Sequence, residues 1–345
     1  MKVKELRPKK DSGVLVRAVS LYVGQGDSTL FFIKNGESYA TMLADINLDK
    51  EHGGINVPQL VKEVVGARGQ LDVFLNTHPH EDHLKGIGEL DKDVGFKYVL
   101  HADYDPGRDS NDYWKAFDKI MDRMKKADAK SVIEVDGSYS VQSLFDAKIH
   151  ILAPAAYVTD VTAEEKPSKR RELIHENCVV FKVGKDKSWI IQLGDADYDA
   201  FEKHIFSAHK NDLASGVLLV AHHGSRHFFK KEDEDEAWLE PLEAIDPSCA
   251  IISASKPSEN KHDHPHKDAV VEYEKYCGKN NVYHTGAKRH SFVVDIMEDG
   301  SISSVIDDNG DLEKECGFES EDDAAKAPFI RTSDGETKPK PGHFA

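Results

Sequence analysis

The stretch NTHPHEDHLKG (residues 76–86) places three histidines and one aspartate within six positions. The four side chains are those of His78, His80, Asp82 and His83. Imidazole nitrogens and carboxylate oxygens are the ligands by which proteins hold zinc and similar divalent ions. A solvated polar turn is the alternative, because these residue types are common in loops. Four potential ligands in the order H-x-H-x-D-H favour a metal site over such a turn.

Two later stretches repeat the arrangement of a short apolar run followed by ligand types. WIIQLGDAD supplies Asp195, a carboxylate that could bridge two metal ions about 3.5–4 Å apart. The alternative is that Asp195 or Asp197 caps the next helix, and both roles can hold together. VLLVAHHGS supplies His222 and His223. Adjacent side chains point in different directions, so one histidine could bind metal while the other contacts substrate.

Two further stretches carry candidate ligands with a weaker pattern. KHDHPHKD contains His264, which follows another apolar run by a loop; a polar loop before a helix is the alternative. IHENCVVF contains His175 and Asn177 just ahead of an apolar run. Either residue could complete the first metal site, and the sequence leaves both open.

The elements that must position these residues are short strands, with helices more frequent in the later part. The run LDVFL (residues 71–75) predicts a buried strand, and Pro79 prevents regular structure directly after it. The first ligand group therefore lies in a loop at the carboxyl end of a strand. Asn35-Gly36 between two apolar runs predicts a hairpin. Strands interspersed with helices predict stacked sheets flanked by helices in one domain, residues 1–306.

Charge and composition limit the classes of partner. The net charge is −17, and hydrophobic residues make up 39% of the chain. Residues 307–345 contain 11 acidic and 5 basic side chains, which gives −6 for this segment and −11 for the rest. The segment predicts a disordered or weakly docked tail. An acidic body argues against a broad nucleic-acid surface, although bound divalent ions could make the pocket itself positive.

The chain has the features expected of a cytoplasmic protein. It contains no apolar run of 18 residues and no apolar segment behind its charged N-terminus, so neither a membrane span nor a secretory signal is expected. Its four cysteines are scattered without a C-x-x-C pair, which is typical of thiols in a reducing compartment. Nothing in the sequence identifies a protein partner.

The order of these stretches resembles the metallo-β-lactamase superfamily, in which H-x-H-x-D-H, a later Gly-Asp and a later His line a two-metal cleft. More narrowly, the chain resembles the hydrolase domain of ComEC-type DNA-uptake competence proteins. The matching stretches lie within residues 20–290, and they are VGQGDS, THPHEDHLKG, ENCVVF, LGDAD, VAHHGS and the pair His264-Pro265.

The resemblance implies an α/β fold, a four-layer αββα sandwich with the metals at one edge. Two features differ from the family pattern. The Asp-Gly that often follows the third strand is Asp45-Ile46 here, and the histidine that many members place between the first loop and the Gly-Asp has no unambiguous match. No stretch resembles the membrane channel of full-length competence proteins, so a role in DNA transport does not follow.

The chemistry expected of two such metal ions, Zn²⁺ or Mn²⁺, is hydrolysis by a water of lowered pKa. The first hypothesis is a phosphodiesterase or nuclease that acts on nucleic acid or a small phosphodiester. The alternatives are a lactone, thioester or β-lactam hydrolase and a non-catalytic metal-binding module. We assign catalysis to Asp82 and His264, the latter as a proton donor. The predicted substrate-binding residues are Lys169, Arg170, Arg171, Asn177 and Ser225.

Overall fold

Two β-sheets form the middle of the molecule. The computed structural model describes residues 1–66, 69–103, 111–138, 140–141, 145–157, 166–231 and 236–318. Strands are numbered along the chain. The first sheet contains β1 (Val14–Ser20), β2 (Thr29–Asn35), β3 (Ser38–Ala44), β4 (Leu71–Leu75), β5 (Phe96–His101), β6 (Val132–Glu134), β14 (Phe292–Met297) and β15 (Ile306–Asp307). The second contains β7 (Ser140–Val141), β8 (Lys148–Ala153), β9 (Val180–Lys185), β10 (Ser188–Gln192), β11 (Val217–Leu219), β12 (Cys249–Ile252) and β13 (Val282–His284).

Helices cover the outer face of each sheet. Those described are α1 (Val3–Leu6), α2 (Val57–Val65), α3 (Glu81–Leu84), α4 (Ile87–Asp93), α5 (Asp112–Ala127), α6 (Pro167–Glu176), α7 (Tyr198–Ala200), α8 (Phe206–His209), α9 (Glu240–Ile245), α10 (Lys267–Cys277), α11 (Thr285–Lys288) and α12 (Asp311–Cys316). A π-helical turn, Phe201–Ile205, joins α7 to α8. None of the helices described is long and apolar enough to cross a membrane.

Three apolar clusters show that the layers are helix, sheet, sheet and helix. Alternate side chains of a strand point to opposite faces. On β2, Phe32 packs with the helices outside the first sheet, while Phe31 packs between the sheets. The ring of Phe31 meets that of Phe181 of the second sheet at 6.1 Å between centroids. The third cluster lies under α9 and α10. The expected four-layer αββα sandwich is confirmed.

Sheet topology brings the ligand-bearing loops to one edge. Strands β3, β4, β5 and β6 pair in parallel, and so do β10, β11, β12 and β13. The carboxyl ends of parallel strands meet at the same edge of a sheet. The loops after β4, β10, β11 and β12 therefore converge, and these loops carry the predicted ligands.

The first residues of the predicted tail pack on this core. Strand β15 pairs with β14, and α12 follows it. Leu312 and Cys316 of α12 are buried in the cluster outside the first sheet. The carboxylate of Asp308 accepts hydrogen bonds from the backbone N–H groups of Gly310 and Leu312, which starts the helix. Residues 307–318 therefore contact the core through β15 and α12. Residues 319–345 lie outside the described residues.

Two truncations should show that residues 307–318 stabilise the fold and that residues 319–345 do not. Ending the chain after Phe318 should leave metal content and the unfolding midpoint unchanged. Ending it after residue 306 should lower the free energy of unfolding by at least about 3 kcal/mol, since each fully buried Leu-sized side chain contributes about 1.5–3 kcal/mol. Urea unfolding of both truncations measures the difference. Equal midpoints would show that α12 does not stabilise the fold.

Candidate metal centre

The first ligand group combines residues from three parts of the chain. His78 and His80 lie after β4, His175 lies in the last turn of α6, and Asp195 follows β10. One ligand atom from each of the four lies within 4.8 Å of the other three. Nε2 of His78 is 3.5 Å from Oδ2 of Asp195. The structure thus brings His175 to the group.

The second ligand group is built on Asp82, His83 and His223, whose ligand atoms also lie within 4.8 Å of one another. Nε2 of His223 is 3.3 Å from Oδ2 of Asp82. Asp82 is the most accessible of these three, with 35% of its side chain exposed, whereas His83 and His223 are buried. This half of the site is therefore open to solvent on the side of Asp82.

Asp195 faces both groups with different oxygens. Its Oδ2 is 3.5 Å from Nε2 of His78, and its Oδ1 is 3.2 Å from Nε2 of His83 and 3.6 Å from Nε2 of His223. This is the geometry of a carboxylate placed between two metal ions. Asp197, not Asp195, caps the following helix by accepting the N–H of Ala200. The sequence allowed one aspartate to face the metal ions and the other to cap the helix. In the structure Asp195 faces both ligand groups and Asp197 is the cap.

Buried atoms without partners show that the residues fit divalent metal ions. Nε2 of His83, His175 and His223 and Oδ1 of Asp195 are buried and have no hydrogen-bond partner among the described residues, because the close contacts of His83 with Asp195 and of His223 with Asp82 lack hydrogen-bond geometry. An unsatisfied buried polar atom costs about 1–3 kcal/mol. Their convergence on two small volumes is explained by ions that accept these lone pairs. Nitrogen and oxygen donors without a thiolate suit zinc or manganese.

The protonation states of the histidines differ between the first and the second ligand group. Burial lowers the pKa of His80 to about 4 and also lowers that of His78, so both imidazoles are neutral at pH 7. Burial would lower the pKa of His83, but Asp195 and Asp45 together raise it well above its usual value. Asp195 and Asp82 likewise raise the pKa of His223 to about 9 against burial. Metal binding to the second group must therefore release protons.

Asp45 supports the second group although the sequence assigned it no role. It has a positive φ of 56° and lies at the end of β3. Its carboxylate accepts hydrogen bonds from the backbone N–H of Thr77 at 2.7 Å and from the Thr77 hydroxyl at 2.6 Å. Nδ1 of His83 is 2.8 Å away. This contact places the His83 proton on Nδ1 and leaves Nε2 for a metal ion.

Two other residues beside the ligands were also missed. Asp27, from the GQGDS stretch, is buried with an oxygen within 4.8 Å of ligand atoms of Asp195 and His223. Burial raises the pKa of Asp27 to about 6. The thiol of Cys178 accepts the backbone N–H of Asp195 at 3.2 Å. The GQGDS stretch carried a family resemblance, but its chemistry was not evident without the neighbouring loops.

The paired histidines point to different places, as the sequence predicts. Their backbones have positive φ angles of 48° and 55°, and their ring planes differ by 79°. His223 lies in a ligand group, and its Nδ1 donates to the carbonyl of Ser253 at 2.9 Å. His222 has its Nε2 3.7 Å from Oδ2 of Asp195, and its ring lies 5.3 Å from that of His264. His222 and His264 therefore form one wall of the cleft.

The predicted substrate-binding residues have other contacts. Lys169 lies in helix α6, and it pairs with Glu172 and Glu176 at 3.2 and 3.9 Å. Arg170 is buried, and the side chain of Arg171 lies outside the described residues. Ser225 is buried and accepts the N–H of His227, and Asn177 is buried and donates to the carbonyl of Leu173. Their role in substrate binding stays a prediction.

Replacing His175 and Asn177 separately by alanine should identify which of the two residues completes the first ligand group. His175→Ala should lower the affinity for one of two metal ions by at least about tenfold, because a ligand nitrogen is lost. Asn177→Ala should leave both affinities within about threefold, since its amide nitrogen is held by the carbonyl of Leu173 and a neutral amide oxygen binds a divalent ion more weakly than an imidazole does. Calorimetric titration of the metal-free protein measures both. A larger loss with Asn177→Ala would reverse the assignment.

Comparisons with known proteins give only distant similarities. No protein-family model matches the chain, and no curated protein matches it. CmlA, a diiron β-hydroxylase from Streptomyces venezuelae, is 13% identical, with 77% of this chain and 52% of that chain covered at a TM-score of 0.45. The chain thus spans about half the length of CmlA.

Two other solved structures show similarities of the same order. Igni18, a metallo hydrolase from Ignicoccus hospitalis, is 12% identical, with 84% of this chain and 98% of that chain covered at a TM-score of 0.43. ST1585 from Sulfolobus tokodaii, a metallo-β-lactamase superfamily protein, is 16% identical. The match covers 52% of this chain and 63% of that chain at a TM-score of 0.29. Because these identities and TM-scores are low, function has to be argued from the site of this chain.

Proposed function

We propose that this protein is a metal-dependent hydrolase of phosphodiester bonds that uses two divalent ions, with zinc as the first choice and manganese as the second. The observation that carries the proposal is Asp195, whose two oxygens face different groups of histidines. When bound, two such ions supply a water of lowered pKa and a positive charge opposite the phosphoryl oxygens.

The residues of the chain hold and orient these parts. The Asp45 carboxylate and the Ser253 carbonyl contact Nδ1 of His83 and of His223, respectively. These contacts fix the tautomers of the two rings. Asp82, 35% exposed, lies where the cleft meets the second group. His222 and His264 line the cleft beside Asp195. Burial lowers the pKa of His264 to about 3 and also lowers that of His222, so either imidazole must first take up a proton, such as the one that the attacking water loses, before it passes one to the leaving oxygen.

The accessibility of the site supports an enzyme over a purely structural metal site. Structural zinc sites are closed and rich in cysteine, whereas these groups border an open cleft and contain no cysteine ligand. The phosphodiester preference is supported by the sequence resemblance to the hydrolase domain of competence proteins and by the pairing of two metal groups, which suits the two non-bridging oxygens of a phosphate.

One experiment tests metal binding and reaction class together. The protein, purified without chelator, is analysed for metal content and then assayed on bis-p-nitrophenyl phosphate, single- and double-stranded nucleic acid, a lactone and a β-lactam. Cleavage of a phosphodiester without opening of the lactone supports the proposal. Asp82→Ala and His80→Ala should keep the fold and abolish turnover, since both residues lie at the start of the short helix α3 and neither belongs to an apolar cluster. Fast lactone opening with every phosphodiester untouched would overturn it, and bound metal without turnover would indicate a binding module.

A further inference from the structure

The metal centre lies between two cavities that form the arms of one cleft. The first arm, about 560 Å³, is bordered by Asp82 and by Asn260. The second arm, about 700 Å³, is bordered by His175, His222 and His264. His262 lines both arms, and its ring lies 5.6 Å from that of His264, which lines the second arm. A substrate whose reacting bond lies at the metals can therefore extend to both sides.

The volume of each arm suits one group of moderate size. Sites that enclose small organic ligands typically measure about 300–1,000 Å³. Both arms fall inside this range. Each arm can therefore accept a group of about nucleoside size.

The fixed charges of the arms do not favour a polyanion. Apart from Asp82, the first arm has three lysines and four carboxylates, the latter from Asp49, Glu51, Glu81 and Glu259. The second arm has two lysines and three carboxylates, the latter from Glu172, Asp197 and Asp199. Each arm thus has one more acidic than basic side chain. A nucleic acid needs Lys or Arg opposite successive phosphates, so phosphates beyond the reacting one would meet repulsion here.

The cations of the arms are also partly engaged with acids. Lys230 is 3.6 Å from Asp268, and Lys85 is 3.9 Å from Glu81. Lys231 pairs with Glu202 at 3.0 Å. Such pairs reduce the positive charge that each lysine offers to a ligand. The metal groups are thus the place in the cleft that favours a phosphate.

We propose that the substrate is a short phosphodiester with one bridging phosphate, of the dinucleoside monophosphate type, whose flanking groups occupy the two arms. This inference rests on the proposed function. Hydrolysis forms one P–O bond to the oxygen of water and breaks the P–O bond to one flanking group. The products are a phosphomonoester and an alcohol, and the alcohol takes up a proton that the water has lost.

Substrate length tests the inference. With the metal-loaded full chain, kcat/KM per bond is measured for thymidylyl-thymidine, its 5′-phosphorylated form and oligothymidylates of five and twenty nucleotides. The value should be highest for the dinucleoside monophosphate and about tenfold lower for the longest oligomer, because added phosphates face carboxylates. The difference should shrink as ionic strength rises, since salt screens repulsion. A value that rises with length would overturn the inference.

Neutralising one carboxylate in each arm provides the matched variants. Glu51→Gln and Asp199→Asn should each raise kcat/KM for the twenty-nucleotide substrate relative to thymidylyl-thymidine by about threefold. Asp118→Asn, on the exposed face of α5 and outside both arms, is the control and should leave this ratio unchanged. An unchanged ratio in both arm variants would show that the carboxylates do not select against length.

The outcomes separate this inference from the function on which it rests. If neither bis-p-nitrophenyl phosphate nor thymidylyl-thymidine is cleaved by metal-loaded protein, the proposed phosphodiesterase function fails. If both are cleaved and the long oligomer is cleaved more efficiently, the function stands and the assignment of a short substrate is wrong.

Discussion

Replacing Asp195 by asparagine should remove both the turnover and the paired binding of metal. Asp195 is buried, and each of its oxygens faces a different histidine group. Asparagine keeps the shape but removes the negative charge and one acceptor oxygen. Loss of a residue that only supports a ligand costs about 10–100-fold in metal affinity, so loss of the bridging carboxylate should cost at least about 100-fold. Metal analysis after gel filtration and calorimetric titration measure the effect.

A matched control distinguishes an effect at the metal centre from a general effect of replacing an aspartate by asparagine. Asp186→Asn makes the same chemical change at an exposed turn between β9 and β10. Its positive φ of 53° is tolerated by asparagine. This variant should keep full metal content and turnover. Two tightly bound ions in Asp195→Asn would show that Asp195 does not bridge the groups.

Replacing Asp45 by alanine should produce the largest loss of stability. Its buried carboxylate accepts bonds from Thr77, Asn76 and His83, and all of these bonds would be lost, although Asn76 would keep its bond to the carbonyl of His78. Removing one side of a buried, hydrogen-bonded pair costs about 3–5 kcal/mol. Metal affinity of the second group should fall as well, because nothing then fixes the His83 ring. Urea unfolding of the metal-free protein measures the first effect, and metal titration measures the second.

The test of Asp45 remains decisive if the alanine variant does not fold. Asp45→Asn retains an acceptor oxygen and should lie between wild type and Asp45→Ala in stability. Asp118→Ala, on an exposed helix face, should change stability by less than about 0.5 kcal/mol. A wild-type unfolding midpoint for Asp45→Ala would contradict the supporting role.

The ligand loops could be predicted because their signal is local. H-x-H-x-D-H and the pair His222-His223 each follow a short apolar run, and a buried strand that ends in ligand types is visible over ten residues of sequence. The separate roles of Asp195 and Asp197 could also be anticipated, since capping depends on neighbouring residues. The structure places these loops and the cap of Asp197 as predicted, because both depend on neighbouring residues alone, while the roles as metal ligands stay predictions.

Other features could not be predicted, because they depend on residues far apart in the chain. The tail composition of residues 307–318 is acidic, yet Leu312 and Cys316 are buried against α2 and the first sheet, which composition does not reveal. The basic run from Lys169 to Arg171 resembles a solvated loop in sequence, but acidic residues of the same helix engage Lys169.

The amino-acid sequence by itself determined the ligand types, the strands that present them and the layered α/β fold, because each depends on short-range pattern. The tertiary structure alone decided which ligand atoms lie together and which residues join each group. Asp27 precedes β2, Asp45 follows β3 and His175 lies in α6. Only the packing of the two sheets at one edge brings ligand atoms of Asp27 and His175 within 4.8 Å of one of Asp195, and one of Asp45 within that distance of one of His83. The same packing placed the acidic arms on both sides of the metals.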